Sequence, residues 1–503
     1  MPTRMTFDVM LGSGTRRASP RSGNDPLRIL VLGDFSGRSA LVPRPDSPPL
    51  IERPVHSIDL DNFDKVLARL GPAARVHTRV TDRPSIEVKF TGLEDFHPDS
   101  LYRRLDAFAA LRELRSRLQD PATFAQAARE LVADGSAPPV SEVTKHTASI
   151  EDNSTALTER LLGARPAGHF RAPSGLDAII RRMIEPHIVP DPTAGAPPYL
   201  AAVDATAAEI MRSVLGASSF KQLEASWRAL RTLVDRLELD ESLVLTLLDV
   251  SKEELHSDLL GANRPLEDTA LHRRLVEGPE GDAPSVLVAD FTFGASVEDI
   301  HLLAALGAVG GTLGAPVLAA AAPTLLGIER LARHADPRDW TELTGAPAEA
   351  WHALRSSPVA RWIGLALPRV LLRSPYGKSA DEIDAFEFEE VIDTGEHEAL
   401  LWSNPAFACA LLLGRAFEDN GWQMAPGDVL ELDDLPAWVV AGESGRALMP
   451  CAEYLLGERA IEQLLARGVM PLVSFRDRNA CRLARFQSIA APARPLAGRW
   501  LNE

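Results

Sequence analysis

The chain has 503 residues, 45% of them hydrophobic and 24% charged, which leaves room for about two to four domains and excludes a wholly disordered, fibrous or multi-span membrane chain. Asp and Glu outnumber Lys and Arg by 70 to 53, a formal charge of −17, and a surplus of that sign repels phosphate backbones, so nucleic acid is not expected as a partner. Residues 1–145 hold 21 basic and 19 acidic residues, against 32 and 51 in 146–503, so two compositionally different parts share one polypeptide.

Residues 1–26 read as a flexible tail, with arginines but no apolar stretch of the length a secretory signal needs. The run LRILVLG at 27–33, closed by Gly33 and Asp34, predicts a buried strand. A Pro-rich loop follows at 43–54. Phe63, Val66, Leu67 and Leu70 predict a helix over 61–70, and ARVHTRV and SIEVKF predict two strands around Asp82-Arg83-Pro84. Pro98 opens a helix expected to run to 118, with Leu101, Leu105, Phe108, Leu111, Leu114 and Leu118 on one face. This small α/β unit ends near Gly135. Residues 136–198 read as a linker with short amphipathic pieces at 154–164 and 175–185.

Beyond it the spacing predicts helices at 199–215 and 218–237, a strand at 243–249, and a helix opened by Ser251 with Glu254 at the capping-box position. A strand at 285–291 and a helix at 297–309 follow. This alternation points to mixed α/β layers around a mostly parallel sheet. Leu302 to Ile328 is uncharged and long enough to cross a bilayer. Gly310, Gly311, Gly314, Pro316 and Pro323 instead predict a helix of about three turns, a turn, a short strand and another turn, with no membrane span. Apolar pieces at 363–372, 407–413, 437–441 and 470–475 complete the chain.

No motif assembles a catalytic constellation. Tyr376-Gly377-Lys378-Ser379 resembles the end of a phosphate loop, but Leu372 stands where that loop needs glycine. The cluster Gly307, Gly310, Gly311 and Gly314 fits close helix packing better than a dinucleotide fingerprint, and Gly442-Glu443-Ser444-Gly445 reads as a turn. His397-Glu398 comes closest to a metal-binding pair, without a third ligand at the usual spacing. The acidic runs 381–384 and 387–390 are expected to form a solvated or partner-facing surface. Cys409, Cys451 and Cys481 suggest neither a disulfide framework nor a zinc site, and a reducing cytoplasm fits them. No metal or cofactor is expected.

Several blocks carry a resemblance. FKQLEASWRALRTLVDRL (220–237) followed by LLDVSKEELHSDL, then SVLVADFTFGASVEDIHLLAALGAVGGTLGAPVLAAAAP (285–323), RWIGLALPRVLLRSPYGK (361–378), FEFEE (386–390), HEALLWSNPAFACALLL (397–413) and GWQMAP (421–426) stand in the order of the large subunit (TssC, VipB, ImpC or EvpB) of the type VI secretion contractile sheath. LRILVLGDFSGR (27–38), IDLDNFDKVLARLGP (58–72), SIEVKF and the helix-opening segment 90–120 resemble the small subunit (TssB or VipA). The chain thus resembles a fusion of two subunits that are normally separate.

The resemblance implies a small-subunit-like α/β unit at 27–135 joined by the linker 136–198 to a larger layered large-subunit-like domain at 199–503. That domain is expected to lack the usual C-terminal extension, whose strands complete a sheet between neighbouring subunits. The implied function is that of a non-enzymatic sheath protomer in the bacterial cytoplasm. Implied partners are other sheath subunits, an inner-tube protein, a baseplate and an AAA+ disassembly ATPase. ALTERLLGAR (156–165) resembles the helix that such an ATPase grips, which makes Leu157, Leu161 and Leu162 candidate recognition residues. Ile29, Val31, Leu105, Phe108, Leu111 and Trp227 are the candidate subunit-interface residues. The alternatives are an accessory sheath-like protein that binds without polymerising and, more remotely, a small-molecule enzyme on the α/β core.

Overall fold

A computed structural model describes residues 25–40, 48–77, 85–133, 183–184, 195–261, 264–277, 283–331, 336–378, 380–392, 397–442 and 445–500. Its frame is a nine-stranded sheet in the order Glu431–Leu432, Cys481–Leu483, Val469–Ser474, Ile363–Leu367, Val317–Ala321, Val286–Phe293, Leu27–Gly33, Leu243–Asp249 and His56–Ser57. The six strands from Val469–Ser474 to Leu243–Asp249 are parallel, and the outer ones run antiparallel. Parallel strands need both faces covered, which is why these segments read as unbroken apolar runs.

The two faces follow from the two-residue period of a strand. Ile29 and Val31 point into one core with the helices Ala196–Leu215, Ser218–Arg236 and Pro405–Asn420. Leu30 and Leu32 point into the other, with the helices Lys252–Leu260, Val297–Leu313 and Gly345–Ser356. The fold is mixed α/β, as the alternation of elements implied.

Most predicted elements fall where the spacing placed them, among them Phe63–Leu70, Leu243–Asp249, and the helix from Lys252 with both capping-box bonds between Ser251 and Glu254. Two helices differ. The helix expected over 98–118 breaks at Leu105, whose backbone is extended (φ −79°, ψ 133°), into Pro98–Arg104, a 3-10 turn at Asp106–Phe108, and Ala109–Gln119. Arg112 makes the break tolerable by donating to the freed carbonyls of Tyr102 and Leu105. The helix expected to end at 309 runs to Leu313, where Gly314 (φ +68°) caps it in the left-handed conformation.

Gly307, Gly310 and Gly311 lie inside that helix because its neighbours need the space. A Cβ on Gly307 would sit 2.6 Å from Ile363 Cδ1 and 2.7 Å from Val359 Cγ1. Gly307→Ala should therefore cost about 1–3 kcal/mol by overpacking, the reverse of the gain expected when alanine replaces glycine in an open helix. Urea denaturation of the variant checks this. A stability equal to or above the parent's would show that the sheet gives way freely.

Among the described residues no helix is long and apolar enough to cross a membrane. The stretch 302–328 divides into the end of a helix, the buried strand Val317–Ala321 and the turn Pro323–Leu326. The amphipathic piece 154–164, and with it Leu157, Leu161 and Leu162, lies outside the described residues, as does 175–185 apart from 183–184.

Candidate functional interface

The candidate site is the seam along which the two compositionally distinct parts meet. Leu27–Gly33 pairs in parallel with Leu243–Asp249 on one side, Ile29 facing Leu245 and Val31 facing Leu247, and with Val286–Phe293 on the other. An N-terminal strand is thus hydrogen-bonded on both edges to strands from beyond residue 240.

An ion-pair network closes the carboxyl end of this strand. The Asp249 carboxylate accepts the Ser36 amide at 3.0 Å and the Arg38 guanidinium. Arg53 donates to the Asp249 carbonyl at 3.1 Å and to the Glu254 carboxylate at 2.8 Å. Burial alone would raise Glu254, but the hydrogen bond from Arg53, the Ser251 amide and the Arg38 charge outweigh it and hold the carboxyl below its ordinary range. Charged bonds of this kind, shielded from water, are worth more than exposed ones.

Aromatic packing continues the seam. Trp227 is fully buried, meets Phe35 edge-on at 5.2 Å and Phe63 at 5.6 Å, and donates its indole N–H to the Phe35 carbonyl at 2.9 Å. Phe90 and Phe96 stack at 3.9 Å and both lean on Phe220. Phe108 and Leu111 are buried in the same core, and Leu105 is partly buried against it. Farther along, the Asp99 carboxylate accepts the amides of Asp384 and Ala385 at 3.1 and 2.9 Å, and Arg115 pairs with Asp204 at 2.8 Å. The structure therefore brings Ile29, Val31, Leu105, Phe108, Leu111 and Trp227 together within one chain, where they form a single internal contact between its parts.

A second charged cluster braces the seam from behind. Arg373 spans Glu224 at 2.9 Å and Glu390 at 2.7 Å, Arg228 adds a bond to Glu224 at 2.7 Å, and the Tyr376 amide reaches Glu390 at 2.9 Å. Burial pushes the Glu224 carboxyl up, and the Arg373 and Arg228 charges more than reverse it, leaving it lowered. Glu387 and Glu389 are exposed, as expected of a solvated run, but Phe388 and Glu390 are buried, which corrects that expectation for the alternate positions. The Arg373 cation, seventeen positions before Glu390 in sequence, is what draws that carboxylate inward.

His397 and Glu398 do meet a third possible ligand, the Glu453 carboxylate, with their ligand atoms within 4.8 Å of one another. Arg369 already bridges both, at 3.1 Å to Glu398 and 2.5 Å to Glu453. The His397 ring is stacked between Trp402 and Tyr454. The group is an ion-pair cluster with its own cation.

Sequence reasoning missed Arg38, Arg53, Asp249, Arg373 and Glu390. Glu254 carried a signal, as a cap residue, but nothing in its neighbourhood pointed to Arg53, 201 positions away.

Residues 198–490 match the family described as EvpB tail sheath, N-terminal domain (VipB). Residues 18–133 match the type VI secretion system VipA family. The chain is also similar to the type VI secretion system sheath protein TssC1 of Pseudomonas aeruginosa, 33% identical over 304 residues that cover 58% of this chain and 61% of that protein. It thus spans about three fifths of the length of that curated relative. The two matched segments meet in one sheet, and the chain belongs to the VipB family of type VI secretion tail sheath proteins, with a VipA-type segment carried ahead of the VipB domain in the same polypeptide.

Proposed function

We propose that the chain is a protomer of a contractile sheath in the bacterial cytoplasm, which assembles with other copies around an inner tube and contracts. The observation that carries this reading is the placement of Leu27–Gly33, from the VipA-type segment, between Val286–Phe293 and Leu243–Asp249 of the VipB-type segment in one sheet. A strand hydrogen-bonded on both edges holds the two parts as one rigid body. Rigid bodies that rotate about their mutual interfaces are what a two-state lattice requires. The role is structural, since the buried charged clusters of the seam spend their charges on one another. A baseplate and an AAA+ disassembly ATPase complete the proposed set of partners. Leu157, Leu161 and Leu162 are proposed to present an apolar stripe to that ATPase.

Negative-stain electron microscopy of the purified chain, alone and with the inner-tube protein of the same apparatus, tests the reading. Hollow helical tubes are expected. Discrete particles in both preparations over a wide range of salt would overturn self-assembly and move the chain to an accessory role within the apparatus.

A further inference from the structure

The connections of the sheet change direction at Leu27–Gly33. From there the chain goes to His56–Ser57 and then Leu243–Asp249 on one side, crosses to Val286–Phe293 on the other and steps outward through Val317–Ala321 and Ile363–Leu367. In an open parallel sheet such a reversal leaves a crevice beyond the carboxyl ends of the two strands that flank it, and ligands bind there. This chain has a crevice of about 350 Å³ at that place, lined by residues that follow the strands Leu27–Gly33 and Leu243–Asp249 and by the carboxyl ends of Val286–Phe293 and Val317–Ala321.

The charges around it are unequally satisfied. Lys252 is paired with Asp299 at 2.5 Å, and Arg369 with Glu453 and Glu398. Arg38 turns its guanidinium to Asp249, Ser36 and Glu254. Asp34 accepts the backbone amides of Arg38 and Ser39, at 2.7 and 2.8 Å, and the Ser39 hydroxyl, and Asp290 accepts the Ser226 hydroxyl at 2.5 Å and the Asn404 side chain. Among the described residues neither aspartate has an ion-pair partner. Both line the crevice, close enough for the Asp34 charge to act on Asp290, and the backbone just before Asp34 packs tightly on Asp290: a Cβ on Gly33 would come within 3.1 Å of Asp290 Cβ. The cations in the lining, Lys252 and Arg369, are thus each neutralised by a carboxylate outside it, while Asp34 and Asp290 share no salt bridge and only Arg38 stands near Asp34. Trp402 adds an apolar wall.

We propose that this crevice binds a small organic cation, an alkylammonium or guanidinium group, held by Asp290 and Asp34. At roughly 30 Å³ per water-sized group the space takes about eleven such groups, enough for a short diamine or for one basic side chain. The same chemistry comes from a free amine or from a lysine or arginine of a second copy of this chain. Burial pushes the Asp290 carboxyl up to about 6, and burial raises Asp34 as well. Cation binding is therefore present above that range and lost as the pH falls through it. Glu253, Lys252 and Arg369 also face the crevice, and no shift is needed in any of them for this dependence.

Isothermal titration of the full chain with butane-1,4-diamine, near pH 8 and again near pH 5, tests the proposal. One saturable site is expected, about tenfold weaker or more in Asp290→Asn and weakened at the lower pH. Gln222→Lys, at an exposed position on the rim, should abolish binding by tethering an ammonium over the crevice without disturbing the core. It keeps the test decisive even where Asp290→Asn folds poorly. No heat with the diamine, together with self-association in sedimentation velocity that both variants weaken, would assign the cation to a second copy. Diamine binding unchanged in both variants, or no binding and unchanged sedimentation, would overturn the site.

Discussion

Arg373→Met should lose about 3–5 kcal/mol of stability, the cost of stranding a buried charge after its partner is removed. Arg373 is the cation for two carboxylates that water cannot reach, Glu224 and Glu390. Arg228 still bonds Glu224 after the substitution, but Glu390 keeps only the Tyr376 amide. The sign of the pH dependence separates this account from simple loss of packing. In the parent, Glu224 is held below its unfolded value, so its contribution is present above about pH 4 and is lost as the pH falls through the lower folded value. In the variant only Arg228 opposes burial at Glu224, whose carboxyl is expected to move above its unfolded value. The folded state then binds more protons than the unfolded one, and stability should recover as the pH drops toward 5. Urea denaturation of both proteins near pH 5 and pH 8 reads the effect. A loss equal at the two values would mean that the guanidinium acts only as filler. Replacing Glu390 by Gln in the variant should restore part of the loss near pH 8, because the stranded charge is then gone.

What could be read from the residues was whatever depends on near neighbours. The apolar run 27–33 specified a buried strand, and the Ser251–Glu254 spacing specified a cap whose two bonds the structure shows. The order of the strands was not legible, because sheet order is decided by packing between segments more than 200 positions apart, as in the register of Val31 with Leu247. The same distance hid the ion pairs: Arg38 and Asp249 are 211 positions apart, Glu224 and Arg373 149. Periodicity failed where it was most regular. Leu101, Leu105, Phe108 and Leu111 keep helical spacing, yet the helix breaks at Leu105, because a side chain from the next helix, Arg112, can satisfy the freed carbonyls. In the acidic run at 387–390 Glu387 and Glu389 are exposed as their charge suggests, and only Glu390 misled, since its place depends on a cation that the run itself does not contain.

Trp227→Ala should cost about 3–5 kcal/mol, the range for emptying a fully buried aromatic site, and the damage should concentrate in the N-terminal part of the seam. The indole, on the helix Ser218–Arg236, packs edge-on against both Phe35 and Phe63. Its N–H also satisfies the Phe35 carbonyl, in the turn directly after the strand Leu27–Gly33. Truncation removes the two ring contacts and leaves that carbonyl without its donor. Trp227→Phe separates the terms: it keeps most of the apolar volume and drops the N–H, so its cost should be about 1–3 kcal/mol, the penalty for an orphaned buried acceptor. Amide hydrogen exchange locates the effect. Loss of protection is expected first at Ile29 to Leu32 and at their partners Leu245 to Leu248, because the strand Leu27–Gly33 is held in place by the turn that Trp227 anchors. A cost below about 1 kcal/mol for the alanine variant, or unchanged exchange along 27–33, would show that main-chain pairing alone holds the two parts together. In that case the seam would tolerate rearrangement of its side chains, and contraction could be transmitted through the sheet without any contribution from the aromatic layer beneath it.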